Sequence, residues 1–156
     1  MSTSSLSPVT LDHRLRSLQP TDMEDLDHLL EVTWSTVDPV RLELCRIRLA
    51  MLMGNRDAAE YRHPRAVDAG LDEGKIASLD RWFTSAAFDD VDRAVLAFTE
   101  QFNLAVSQMQ TEDIEGLRAH FSDADVMNFS AAIYVIELDM RMRMVAQGLL
   151  HPEETK

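Results

Sequence analysis

The chain has 156 residues, 46% of them hydrophobic, and 27 acidic against 15 basic side chains, for a formal charge of −12. That length suits one domain with its own core, and that composition excludes a disordered chain. The acidic balance argues against a nucleic-acid partner, which needs clustered positive charge, and against adhesion to an anionic membrane.

The single cysteine, Cys45, leaves no partner for an intramolecular disulfide and suits a reducing cytoplasm, the expected location. Arginine outnumbers lysine 13 to two, the lysines being Lys75 and Lys156. Arginine favours planar pairing with carboxylates, so many of these side chains are expected in ion pairs. The longest weakly charged run, 126–138, is too short to span a membrane and contains Glu137. The N-terminal MSTSSLSPVT has neither the basic nor the apolar region of a signal peptide. Residues 1–20 are expected to form a flexible arm, 21–150 one helical domain, and 151–156 a tail.

The spacing of apolar residues is helical almost throughout, and no alternating β-branched run of useful length occurs. A first helix is predicted over 22–33, with Thr21 as cap and Glu24 completing a capping box. The second begins at Pro39 behind the cap Asp38 and stops at Gly54. Its sequence, VRLELCRIRLAMLM, is apolar on nearly every side, so its charged residues need partners. Glu43 and Arg46, three apart, are placed to pair. So apolar a helix also needs cover on several sides, some of it expected from a neighbouring copy.

A third helix is predicted over 56–69, kinked by Pro64 and ended by Gly70. A fourth follows Asp72, a fifth runs over 89–109, and Thr111 opens a sixth. Ser122 caps a long last helix, with Asp125 three residues on as an acidic near-match to a capping box. In that helix Glu137–Arg141 and Asp139–Arg143 are spaced for ion pairs. Met140, Met142 and Met144, with Met51 and Met53, are candidates to line an adaptable apolar pocket. Many acids stand at predicted helix starts (Asp38, Asp72, Asp89, Asp90, Asp123, Asp125), where the helix dipole favours them.

Four stretches, "LELCRIRLAMLMG", "AVDAGL" with "DEGKIASLDRW", "FTSAAFDDVDRAVLAFTEQF" and "LRAHFSDADVMNFSAAIYVIELDMRMRM", resemble the carboxymuconolactone decarboxylase superfamily, which includes the AhpD-type alkylhydroperoxidases. The resemblance implies an all-α, six- to seven-helix AhpD-like bundle that assembles into homotrimers or homohexamers, with a dimer also open. AhpD-type members carry Cys-x-x-Cys with a His four residues later and a Glu twelve residues before the first Cys. The matching positions here are Glu43, Asn55, Ala58 and Arg62, so the Glu is kept while both cysteines and the His are replaced. A two-thiol peroxidase mechanism therefore has no thiols to use, and Cys45 lies on a different helix. In the decarboxylase branch a His stands where this chain has Arg62. His63 is the next residue, but neighbours on a helix point about 100° apart.

The site reading follows from those positions. Arg62 is the candidate anion fork, supported by Asn55 and Arg46. Glu43 is the candidate general base, with Tyr61 and His63 able to move a proton. The plainer reading is preferred: Glu43 and Arg62 neutralise one another between two packed helices, since structural ion pairs outnumber catalytic ones. Cys45 is expected to be buried and inert, with a one-cysteine redox role as the alternative. His13, His28, His120 and His151 have no metal-ligand spacing, and no cofactor or metal is expected. The functional expectation is a thiol-independent, lyase-like enzyme acting on a small organic acid or lactone by proton transfer. The alternative is a non-catalytic ligand-binding or assembly protein.

Overall fold

The computed structural model describes residues 6–150, and among them there are helices and turns but no strand. In chain order the helices are α1 Pro8–Leu18, α2 Pro20–Thr36, α3 Pro39–Leu52, α4 Arg56–Glu60, α5 Pro64–Asp68, α6 Glu73–Ile76, α7 Asp90–Ala105, α8 Thr111–Arg118 and α9 Asp123–Leu149. Short 3-10 turns at Leu79–Arg81 and Val106–Gln108 complete them.

Helix α3 is the centre of the bundle. Leu42, Leu44, Cys45, Ile47, Leu49 and Ala50 are all buried, and α4, α5, α7 and α9 pack around them. Much of the cover that so apolar a helix needs thus comes from its own chain. Asp38 caps its start by accepting from the Arg41 N–H at 2.9 Å. Gly54 ends it with φ +67°, a left-handed conformation that costs glycine little. The charges of α3 are partnered as the desolvation argument requires: Arg41 reaches Asp89 and buried Asp92, and Arg48 reaches Glu100. The long α9 lies against α2, α3 and α8, and starts with the Ser122–Asp125 capping box.

Three sequence expectations about the elements need correction. Residues 8–18 form α1, which packs on α2 and α9 through buried Leu11 and Leu15. The polar lead hides this because only those two residues of the helix are buried. Helix α2 also starts earlier than expected, with Pro20 in its first turn and no side-chain cap at Gln19. Proline's fixed φ is preset for that position, so the Thr21 box is not used.

The third correction positions the site. The predicted helix over 56–69 is two short helices separated by extended backbone at Tyr61 and His63. Pro64 disfavours helical backbone at the residue before it. His63 therefore becomes the cap of α5, its Nδ1 accepting from the Arg65 N–H at 3.3 Å.

Candidate functional site

Glu43 is fully buried at 0% exposure, and its carboxylate is closed off by donors. Arg46, on the same helix face one turn later, donates from Nε to Oε2 at 2.6 Å and from Nη2 to Oε1 at 2.7 Å. The His63 backbone N–H also donates to Oε1, at 2.9 Å. Arg46 continues outward, donating from Nη1 to the Ala58 carbonyl and from Nη2 to the Tyr61 carbonyl, both at 2.7 Å. The pair is thus a clasp that ties α3 to the α4–α5 break. It satisfies the backbone groups that the missing helical turn would otherwise leave unpaired.

The expected Glu43–Arg62 pair does not form. Arg62 turns the other way, to Glu73 at 2.9 Å and to the carbonyls of Ala59 and Tyr61. The i,i+3 alternative, Glu43–Arg46, is the pair that exists. Once α4 stops at Glu60, residue 62 is no longer on the helix face that the spacing argument assumed.

Beside this clasp lies a cavity of about 840 Å³. Its walls come from α2 (Leu30, Glu31, Trp34), the α3–α4 turn and α4 (Gly54, Asn55, Ala58), the break (Tyr61, His63) and α9 (Ile136, Asp139, Arg143, Met144). The N-terminal segment closes one side with Leu6, Pro8 and Leu11. A smaller recess of about 60 Å³ adjoins it, between Arg46, Asn55, Asp139, Met140 and Arg143. The main volume lies in the range typical of small-molecule sites.

His63 supplies the imidazole on that wall. Its ring stacks on Trp34 with centroids 3.6 Å apart and planes 4° from parallel. Burial depresses its pKa from the ordinary 6.5, against the pull of Glu43 and with help from the Arg46 and Arg65 charges. A neutral imidazole whose Nδ1 accepts from Arg65 carries its proton on Nε2. Among the described residues no protein group meets that Nε2.

Asn55 lines the cavity while its Oδ1 accepts from the Ala58 N–H at 3.1 Å, leaving its amide nitrogen unused by the protein. Arg143 donates to Asp139 at 2.9 Å and to Asp12 at 2.8 Å. Burial works against the Asp12 carboxylate, but hydrogen bonds from Arg16 and Arg143 hold its pKa below the ordinary value. Tyr61 lies under the Arg46 guanidinium, 5.3 Å from ring centroid to Cζ.

Of the expected site residues, the structure gathers Arg46, Asn55, Tyr61 and His63 at the cavity, with Glu43 behind the wall and Arg62 outside. Cys45 is buried and its thiol is pushed up to about 12 by burial. Trp34, Asp139 and Arg143 were not singled out as site residues from the sequence. Their signals were present but generic: an aromatic at the end of an amphipathic helix and an i,i+4 ion pair. Of the methionines suspected of lining a pocket, Met144 lines the cavity and Met140 the recess. Among the described residues no group of three metal-ligating side chains gathers, and His151 lies outside those residues.

A solved structure from Agrobacterium tumefaciens shares this architecture, with a TM-score of 0.76 over 90% of this chain and 97% of that one. The fold is AhpD-like. That relative is a protein of unknown function named as a candidate antioxidant defence protein AhpD, and its identity to this chain is 23%. The likeness therefore shows the fold and leaves the chemistry to the site. No family model matches the chain, and no curated protein matches it. Among the described residues no helix is long and apolar enough to cross a membrane.

Proposed function

We propose that this AhpD-like chain is a thiol-independent enzyme that acts by proton transfer on a small organic acid or lactone held in the cavity. The observation that carries this reading is His63, held neutral on the cavity wall, stacked on Trp34, with Nε2–H unused by the protein. A neutral imidazole N–H is suited to polarising a carbonyl oxygen. Asp139 is the carboxylate able to take a proton, since the Arg143 bond occupies Oδ1 and leaves Oδ2 free of protein donors. Glu43 is not given that role, because its carboxylate is buried and carries three donors. In isomerisation and elimination such a pair takes the proton next to the carbonyl and stabilises the enolate oxygen that forms; in decarboxylation, departure of CO2 forms that enolate and a proton is then delivered to it.

Deuterium exchange tests the reading without knowledge of the net reaction. Small acids and lactones incubated with the protein in heavy water should exchange protons next to the carbonyl, followed by proton NMR. His63→Gln should slow exchange by about a hundredfold, while Arg62→Gln should leave it unchanged. Exchange that survives His63→Gln would sink the assignment.

The closed Glu43–Arg46 clasp favours a second reading, a ligand-binding protein without catalysis. Binding without exchange would select it. Cys45 gives no support to a redox role, because its thiol is buried and held protonated.

A further inference from the structure

The charges around the cavity decide what kind of small molecule belongs there, and this step rests on the cavity being the ligand site. Three arginines line it, and each already holds an acid: Arg46 holds Glu43, Arg143 holds Asp139 and Asp12, and Arg56 holds Glu60. Four acids line it as well: Asp27, Glu31, Asp57 and Asp139. The wall therefore offers no uncompensated positive charge, and its formal balance is slightly negative. A carboxylate entering this space would lose water without gaining a free cation, which is costly.

Hydrogen-bond donors remain on the wall. Arg46 uses four of the five N–H groups of a guanidinium on protein acceptors. The fifth, the Arg143 N–H groups beyond its bonds to Asp139 and Asp12, the Asn55 amide and the His63 Nε2–H all belong to side chains on the cavity wall. Neutral oxygen acceptors match such donors without needing a counter-charge. Leu11, Leu30, Trp34, Ile136 and Met144 supply an apolar lining for the rest of the molecule.

We propose that the cavity takes an uncharged carbonyl compound with an apolar body, a ketone, ester or lactone, and rejects the corresponding carboxylate. The His63 Nε2–H and the Asn55 amide on the main cavity wall are the neutral donors for its carbonyl oxygen. Of the two substrate classes, the lactone fits this wall and the free acid does not.

A matched pair tests this: γ-nonanolactone and its ring-opened γ-hydroxynonanoate differ by one water and one charge. Trp34 fluorescence in a Trp82→Phe background reads binding of each, because Trp34 forms part of the wall and Trp82 does not. At about pH 7, where the hydroxy acid is ionised, the lactone should bind roughly tenfold tighter or more, a difference of about 1.4 kcal/mol. Asp139→Asn leaves Arg143 with Asp12 alone and should narrow that ratio; Arg143→Gln removes the cation and should widen it. Thermal melts confirm that both variants fold. Equal binding of the two compounds, or tighter binding of the hydroxy acid, overturns the inference and leaves the ligand-handling reading standing. If neither compound changes Trp34 fluorescence nor raises the melting temperature, the ligand-handling reading falls and takes the inference with it.

Discussion

Two arginine clusters line the cavity and the recess beside it, and they differ in what surrounds them. Arg46 is 8% exposed, sits against a fully buried carboxylate and spends its remaining bonds on the Ala58 and Tyr61 carbonyls. Arg143 is partly exposed, shares its charge between Asp12 and Asp139, and keeps several donors free. Both look alike in sequence: an acid and an arginine three or four apart on a helix. Burial separates them. A charge in the interior must be fully satisfied, so the Arg46 cluster is committed to holding the fold. A partly exposed charge is screened by water, so the Arg143 cluster can leave N–H groups without a protein acceptor at little structural cost.

Breaking the inner cluster should have the largest effect. Glu43→Ala should lose about 3–5 kcal/mol, because it leaves a buried guanidinium unpaired and removes the acceptor of the His63 N–H. Urea denaturation reads this directly. Arg143→Gln should cost no more than about 1 kcal/mol. If the two losses were equal, the distinction between a closed clasp and an open cluster would collapse.

A pH series sharpens the contrast further. The folded pKa of His63 lies below its unfolded value of 6.5, so the unfolded state binds more protons between the two. Its contribution to stability is fully present above pH 6.5 and is lost as the pH falls through the depressed folded value. The melting temperature should therefore drop on acidification below pH 6.5, and His63→Gln should flatten that part of the profile. The smallest expected effect is on Cys45. With its thiol raised to about 12, it should stay unmodified by an aromatic disulfide reagent in the native protein and react after unfolding in urea.

Much of the fold was legible because it depends on local rules. Asp38 with Pro39, Gly54, Gly70 and Ser122 with Asp125 mark helix ends by backbone chemistry alone, and the structure uses each of them. Helix α1 was not legible, because its stability comes from docking rather than from propensity or a broad apolar face. The site was legible only in part. Pro64 carried the deciding signal, since the residue before proline leaves the helix, but the outcome depended on where the broken segment docked.

From the sequence alone follow an all-α bundle, a buried central helix whose charges need partners, and a single cysteine with no second thiol to pair with. These depend on periodicity, capping and residue identity, which are properties of neighbouring positions. Tertiary structure alone decided that Glu43 pairs with Arg46 rather than with Arg62, that Arg62 faces Glu73 and that His63 faces the cavity. Residues tens of positions apart compete for the same carboxylate, and the choice between them follows from which backbone carbonyls and N–H groups the fold brings within hydrogen-bond reach.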